Sequence, residues 1–232
     1  MVTIMEIISS PLLLFLVVIG LMYITGFSMV EFPEEKYKFL GPFVYERTAE
    51  DFPFVKGDRP LIYISLGTVL KGAVSFFQNC IEAFRDEDAD VIISVGKKFD
   101  MRKLKSVPEN VWIYASVPQL EVLKMADVFV THGGMNSVSE ALVFGTPMVV
   151  IPFVSDQPVN ARCVEKIGAG KKLEYSAVSK NVLKEKVFSV IMDREIRNNM
   201  EKVKQMIKAA PGNEGGAEMI IRYYEKHEDG LR

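Results

Sequence analysis

The 232-residue chain contains only two histidines, two cysteines and one tryptophan, and each scarcity argues against a class of chemistry. Cys80 and Cys163 lie far apart, with no CxxC spacing and no Cys/His cluster. That pattern argues against a zinc site and a disulfide framework, and reads as reduced, buried thiols of a cytosolic protein. Charge of one sign is lacking too. Lys and Arg number 28 against 30 Asp and Glu, for a net charge of −2, so there is no electrostatic footprint for nucleic acid. No Lys or Arg precedes Lys36, so the basic start of a secretory signal is missing. There is no tandem repeat and no low-complexity tract. Hydrophobic residues make up 49% and charged residues 25% of the chain, enough to bury the core of one large domain.

Charge is also absent from Ile7 to Val30. That run is long enough to span a bilayer as a helix, which needs ~20 apolar residues. Its flanks, Glu6 on one side and Glu31, Glu34 and Glu35 on the other, supply no basic segment to orient it. Pro11, Gly20 and Gly26 interrupt it. Two readings stand: a membrane anchor, or pieces of a soluble sheet over Leu12–Ile19 and Leu21–Thr25. The expected location is the cytoplasm, either free or held at the cytoplasmic face of a membrane through residues 7–30. Residues 31–60 carry Pro33, Gly41, Pro42, Pro53, Gly57 and Pro60 and read as a loop-rich linker. Residues 61–232 form the expected folded domain.

From Leu61 onward, short apolar runs alternate with amphipathic segments. Strands are expected at Leu61–Ser65, Val91–Val95, Val111–Tyr114, Val128–Thr131 and Met148–Ile151. Helices are expected after a Ser75 cap, with Phe76, Phe77, Cys80, Ile81 and Phe84 inward, then at Leu120–Met125, Met135–Phe144 and Gln157–Ile167. A helix capped by Ser179 should turn Val182, Leu183, Val187, Val190 and Ile191 inward. A mostly polar helix over Glu195–Ala209 and a last one over Gly215–Lys226, carrying Met219, Ile220 and Tyr223, complete the series. This alternation indicates an α/β fold built on a parallel, doubly wound sheet.

The most specific stretch is DVFVTHGGMNSVSEALVFGTPMVVIPFVSDQPVN, residues 127–160. An apolar strand stops at His132-Gly133-Gly134 and a helix opens directly after it. Glycines there let the backbone approach a ligand closely, and the first free N–H groups of the helix favour an anion. A second strand ends at Pro152, followed by the polar Ser155-Asp156-Gln157. Two such strand ends with a helix between them suggest a ligand crevice at the carboxyl edge of the sheet.

The order of polar residues resembles the donor-binding signature of family 1 UDP-sugar-dependent glycosyltransferases, in the manner of the macrolide-modifying bacterial branch. Ser65-Leu66-Gly67-Thr68 resembles the first phosphate-side loop of that family. The run from Val117 to Leu123, beginning Val117-Pro118-Gln119, resembles its nucleotide-base segment, and Asp156-Gln157 the pair that holds the sugar. The resemblance covers roughly residues 31–225 and implies one Rossmann-like domain, the C-terminal half of a two-domain GT-B fold. It implies that Ser65, Gly67 and Thr68 face the diphosphate, with His132, Gly133, Gly134, Asn136 and Ser137 holding it. Glu140, one helical turn beyond Asn136, would take the ribose diol. Val117 and Gln119 would take the uracil edge, and Asp156 and Gln157 the sugar hydroxyls. The position before Val117 is commonly aromatic in the family and is Ser116 here. No metal is implied, because fixed N–H donors can stabilise a leaving UDP. No DxD-type pair sits in a position to hold one, and the acidic run Asp86, Glu87, Asp88, Asp90 reads as a solvated face.

In the family the acceptor pocket and the catalytic histidine lie in an N-terminal domain. This sequence has no histidine before His132, so no catalytic residue is assigned. The expectation is a donor-binding half. Either it works with a separate acceptor-binding subunit, as in split glycosyltransferases, or it binds UDP-sugar without catalysis, or it has kept the fold without the ligand.

Overall fold

The computed structural model describes residues 40–42, 44, 52–67 and 74–227. The segment 7–30, most of the expected linker and Thr68 lie outside the described residues. Six strands form one parallel sheet: β1 (Leu61–Ser65), β2 (Asp90–Ser94), β3 (Val111–Tyr114), β4 (Val128–Thr131), β5 (Met148–Val150) and β6 (Gly170–Lys172). Their spatial order is β3-β2-β1-β4-β5-β6. The helices are α1 (Val74–Phe84), α2 (Gln119–Met125), α3 (Met135–Phe144), α4 (Gln157–Lys166), α5 (Lys180–Ile191), α6 (Arg194–Ala209) and α7 (Gly212–His227). Helix α1 packs with α5, whereas α3 packs with α2, α4 and α6. The expected α/β, Rossmann-like doubly wound sheet is therefore present.

Strand β1 is buried at all five positions, as a central strand covered on both faces must be. Each fully buried Ile, Val or Phe of this sheet contributes about 1.5–3 kcal/mol of transfer free energy. The strand order reverses between β1 and β4. Chain direction therefore splays the two following loops apart and leaves a crevice at their carboxyl ends. At that edge Ser65 is in register with Ser94 on one side and Thr131 on the other, so a row of hydroxyl side chains ends three adjacent strands.

Several elements differ from the sequence expectation. Ser75 does not cap α1, because the helix already includes Val74; the five inward residues expected there are buried. Strand β2 begins one residue early, at Asp90, whose carboxylate pairs with Arg59. Val182 is only half-buried on α5. Helix α6 is mostly polar, as expected, but its few apolar residues gather on one face, with Ile196, Met200 and Val203 buried, and Asp193 caps it by accepting from the Glu195 and Ile196 N–H groups. Helix α7 begins at Gly212, three residues before the expected start, and its Ile220 is exposed. Strand β6 was not expected at all. Its Gly-Lys-Lys sequence carries no apolar signal, and it is a strand only because it pairs with Met148–Val150. A Cβ at Gly170 would lie 2.0 Å from the Met148 carbonyl oxygen, so glycine is required for that pairing.

Candidate functional site

Two loops meet at the β1/β4 edge. The first follows β1, where Gly67 has φ +66° and its N–H points to Ser65 Oγ at 3.5 Å. The second follows β4, where Gly133 has φ +83° and donates to Thr131 Oγ1 at 3.3 Å. Both strand-end hydroxyls thus turn back on the glycine loop that follows them. A side chain at Gly133 would put Cβ 2.5 Å from Val150 Cγ1, on top of an unfavourable left-handed backbone. Asn160 of α4 fastens the same loop, donating from Nδ2 to the Gly133 carbonyl at 2.8 Å and to Asp156 Oδ2 at 2.8 Å.

His132 sits between the two loops and is only 8% exposed. A Cβ at Gly67 would lie 2.7 Å from its Cε1, and a Cβ at Gly134 would lie 2.5 Å from its Nε2. Two glycines therefore clear space for one imidazole. Its Nδ1 is buried with no hydrogen-bond partner among the described residues. Burial lowers the pKa, and the negative charge of Asp156 opposes that shift. Charging the ring would put an N–H with no acceptor in the interior, so the neutral form is favoured.

Helix α3 opens directly beside this ring. Gly134 is its N-cap and offers no side-chain cap, and no acidic residue stands in its first turn. The positive end of the helix is thus left uncompensated by its own side chains, an arrangement that favours a nearby anion. Asn136 is exposed there and Ser137 half-buried.

Further along, Glu140 of α3 meets Gln119 of α2. The Gln119 Nε2 donates to Glu140 Oε2 and to Ser137 Oγ at 3.4 Å, and its Oε1 accepts from the Tyr63 hydroxyl at 3.0 Å. Val117 is half-buried and Ser116 exposed just before α2. At the far side, Asp156 is exposed at the N-cap position of α4, where its side chain makes no capping bond. Gln157 is buried, and its Oε1 accepts from the Phe153 and Val154 N–H groups at 2.8 and 3.1 Å. Its side-chain carbonyl is therefore tied to the preceding turn, leaving the amide NH2 as the end not used there.

The structure thus gathers Ser65, Gly67, His132, Gly133 and Gly134 at one edge and joins Gln119, Ser137 and Glu140 by hydrogen bonds. Tyr63, Thr131 and Asn160 were missed by sequence reasoning. For Tyr63 a signal existed: it stands two residues before Ser65 on the same face of β1, by the period of two in a strand. Asn160 has no comparable signal, since its role depends on where the β4 loop passes.

A parallel sheet with this strand order, and an uncapped helix N-terminus at its point of reversal, defines a Rossmann-like nucleotide-binding class of domain. A family model described as UDP-glucoronosyl and UDP-glucosyl transferase matches residues 44–214, and the chain belongs to that family. It is 43% identical over 189 residues to YojK of Bacillus subtilis strain 168, an uncharacterized UDP-glucosyltransferase; the match covers 81% of this chain and 47% of YojK. Among solved structures it is similar to the glycotransferase of kitacinnamycin, with TM-score 0.76 and 32% identity over 82% of this chain and 50% of the other. It is also similar to a UDP-glucose:anthocyanidin 3-O-glucosyltransferase in complex with UDP, with TM-score 0.61 and 27% identity over 71% and 39% of the two chains. The chain spans about half the length of the curated relatives it matches. Its fold is that of one half of a GT-B glycosyltransferase. Among the described residues, no helix is long and apolar enough to cross a membrane.

Proposed function

We propose that the chain is the donor-binding half of a UDP-sugar-dependent glycosyltransferase acting by hexosyl transfer, and that residues 61–232 form its nucleotide-sugar domain. The observation that carries this reading is the uncapped N-terminus of α3 beside a buried histidine that two glycines hold in place. A diphosphate is the ligand such a corner suits. The N–H groups at the start of α3 take its oxygens, and the Nε2 edge of His132, which lies over Gly134, donates to it in the neutral tautomer. Ser65 and Gly67 close the facing side, and Asn136 and Ser137 add side-chain donors. Glu140 takes the ribose diol, Val117 and Gln119 the base edge. Asp156 and the free amide end of Gln157 take sugar hydroxyls. No metal is needed for UDP to be held this way, because helix and backbone donors neutralise its charge. An acceptor-binding subunit or domain outside this chain would supply the second substrate.

Calorimetric titration of the full chain with UDP, in Mg²⁺ and in EDTA, tests the reading. Binding should be equal in both. His132→Ala and Glu140→Ala should each weaken it by roughly 1–3 kcal/mol, the loss of a charge-assisted hydrogen bond. Glu201→Ala, on the exposed face of α6, should leave it unchanged. Unaltered affinity in both site variants would remove the phosphate and ribose assignments.

A further inference from the structure

Resting on the donor-site reading above, we propose that Tyr63 is a positioning residue for ribose recognition, acting through Gln119 to set the Glu140 carboxylate. Tyr63 is 1% exposed at the centre of β1. Its ring stacks on Phe129 of β4 with centroids 4.7 Å apart and planes 7° from parallel. The strand pairing also places Tyr63 in register with Phe129. With backbone and ring plane both fixed, the hydroxyl oxygen is held near Ser65 and Ser94 and donates to Gln119 Oε1 at 3.0 Å.

The Glu140 carboxylate requires the NH2 end of the Gln119 amide, and the Tyr63 donation to Oε1 holds the amide in that orientation. A carboxylate only accepts hydrogen bonds. With Oε1 satisfied by the phenol, Nε2 is turned to Glu140 Oε2 and Ser137 Oγ. The reversed amide would set its carbonyl oxygen against the carboxylate, even though the phenol oxygen could accept from its NH2. Tyr63 thus makes one orientation satisfied at both ends, and Glu140, held through Oε2, keeps its remaining lone pairs for a diol. Burial pushes the phenol well above the usual tyrosine range, against the opposing effect of the Ser65 and Ser94 hydroxyls and with the Glu140 charge adding to it, so the donor stays protonated at working pH. Phenylalanine would pack as well on Phe129, so a purely structural tyrosine would not need the hydroxyl.

The full chain is titrated with UDP and with 2′-deoxy-UDP, alongside Tyr63→Phe, Glu140→Gln and the double variant. The wild type should prefer UDP. Tyr63→Phe should lose roughly five-fold or more of that preference, the effect of one hydrogen bond, with 2′-deoxy-UDP affinity and the unfolding midpoint close to wild type. In the Glu140→Gln background the same change should alter the preference no further, because the two residues act as one unit. Gln119→Leu, which cuts the relay and also removes the proposed base contact, should weaken both nucleotides and in addition lose the preference for UDP. If Tyr63→Phe keeps the wild-type preference, or weakens both nucleotides equally, Tyr63 is a packing residue and the inference fails. If the wild type binds no UDP at all, the donor-site reading itself has failed.

Discussion

The two ends of the candidate site are built by different means. At the β4–α3 corner the shape is made by backbone and by missing side chains: Gly67, Gly133 and Gly134 leave room for a loop and an imidazole that any Cβ would strike. At the α2–α3 end the shape is made by side chains reaching one another: Tyr63 to Gln119, Gln119 to Glu140 and Ser137. A backbone-built corner suits a ligand part that does not vary, such as a diphosphate, because it reads charge and offers little to adjust. A side-chain relay can be retuned one residue at a time without disturbing the sheet.

The sharpest way to break the comparison is Gly133→Ala. The left-handed backbone and the contact with Val150 should together destabilise the fold by about 2 kcal/mol or more, and UDP binding should go with it. Urea unfolding measures the first effect and calorimetry the second. An unchanged unfolding midpoint would mean the loop relaxes and the steric account is wrong. Gly134→Ala should separate the two effects. Its backbone, φ −62°, suits any residue, and the added Cβ meets only the His132 ring. Stability should fall by about 1–2 kcal/mol, from displacement of the buried ring and a poorer N-cap, less than at Gly133 because no left-handed backbone is strained, while UDP affinity drops about as far as in His132→Ala.

The smallest effect expected is on pH dependence. Burial lowers the His132 pKa below its ordinary 6.5, so near and below that pH the unfolded chain binds more protons than the folded one. The stability contribution of the neutral ring is therefore complete above about pH 6.5 and is lost as pH falls through the depressed folded-state value. His132→Asn should flatten this part of the acid limb, read as urea midpoints at pH 7.5 and 5.5. An acid limb identical in both proteins would place that loss of stability elsewhere.

Much of this was legible in the chain. The apolar runs from Leu61 to Ile151 named five strands of the six, because a strand buried on both faces must be apolar on both. The histidine, two glycines and following helix marked the β4–α3 corner, because close backbone approach needs glycine whatever surrounds it. Strand β6 was not legible, since Gly170–Lys172 is extended only by pairing with β5. Nor was the turn of Gln157 toward the Phe153 and Val154 amides, which depends on how the loop before α4 folds back.

By itself the sequence determined the α/β alternation, the family and the glycine loop between β4 and α3. These follow from local periodicity and from residue types whose meaning does not change with context. Only the tertiary structure decided that β1 and β4 lie side by side, that one imidazole fills the gap between Gly67 and Gly134, and that Tyr63, Gln119 and Glu140 share a hydrogen-bonded line. Those facts join residues from separate strands and helices, and the distances between them exist only once the sheet has been assembled.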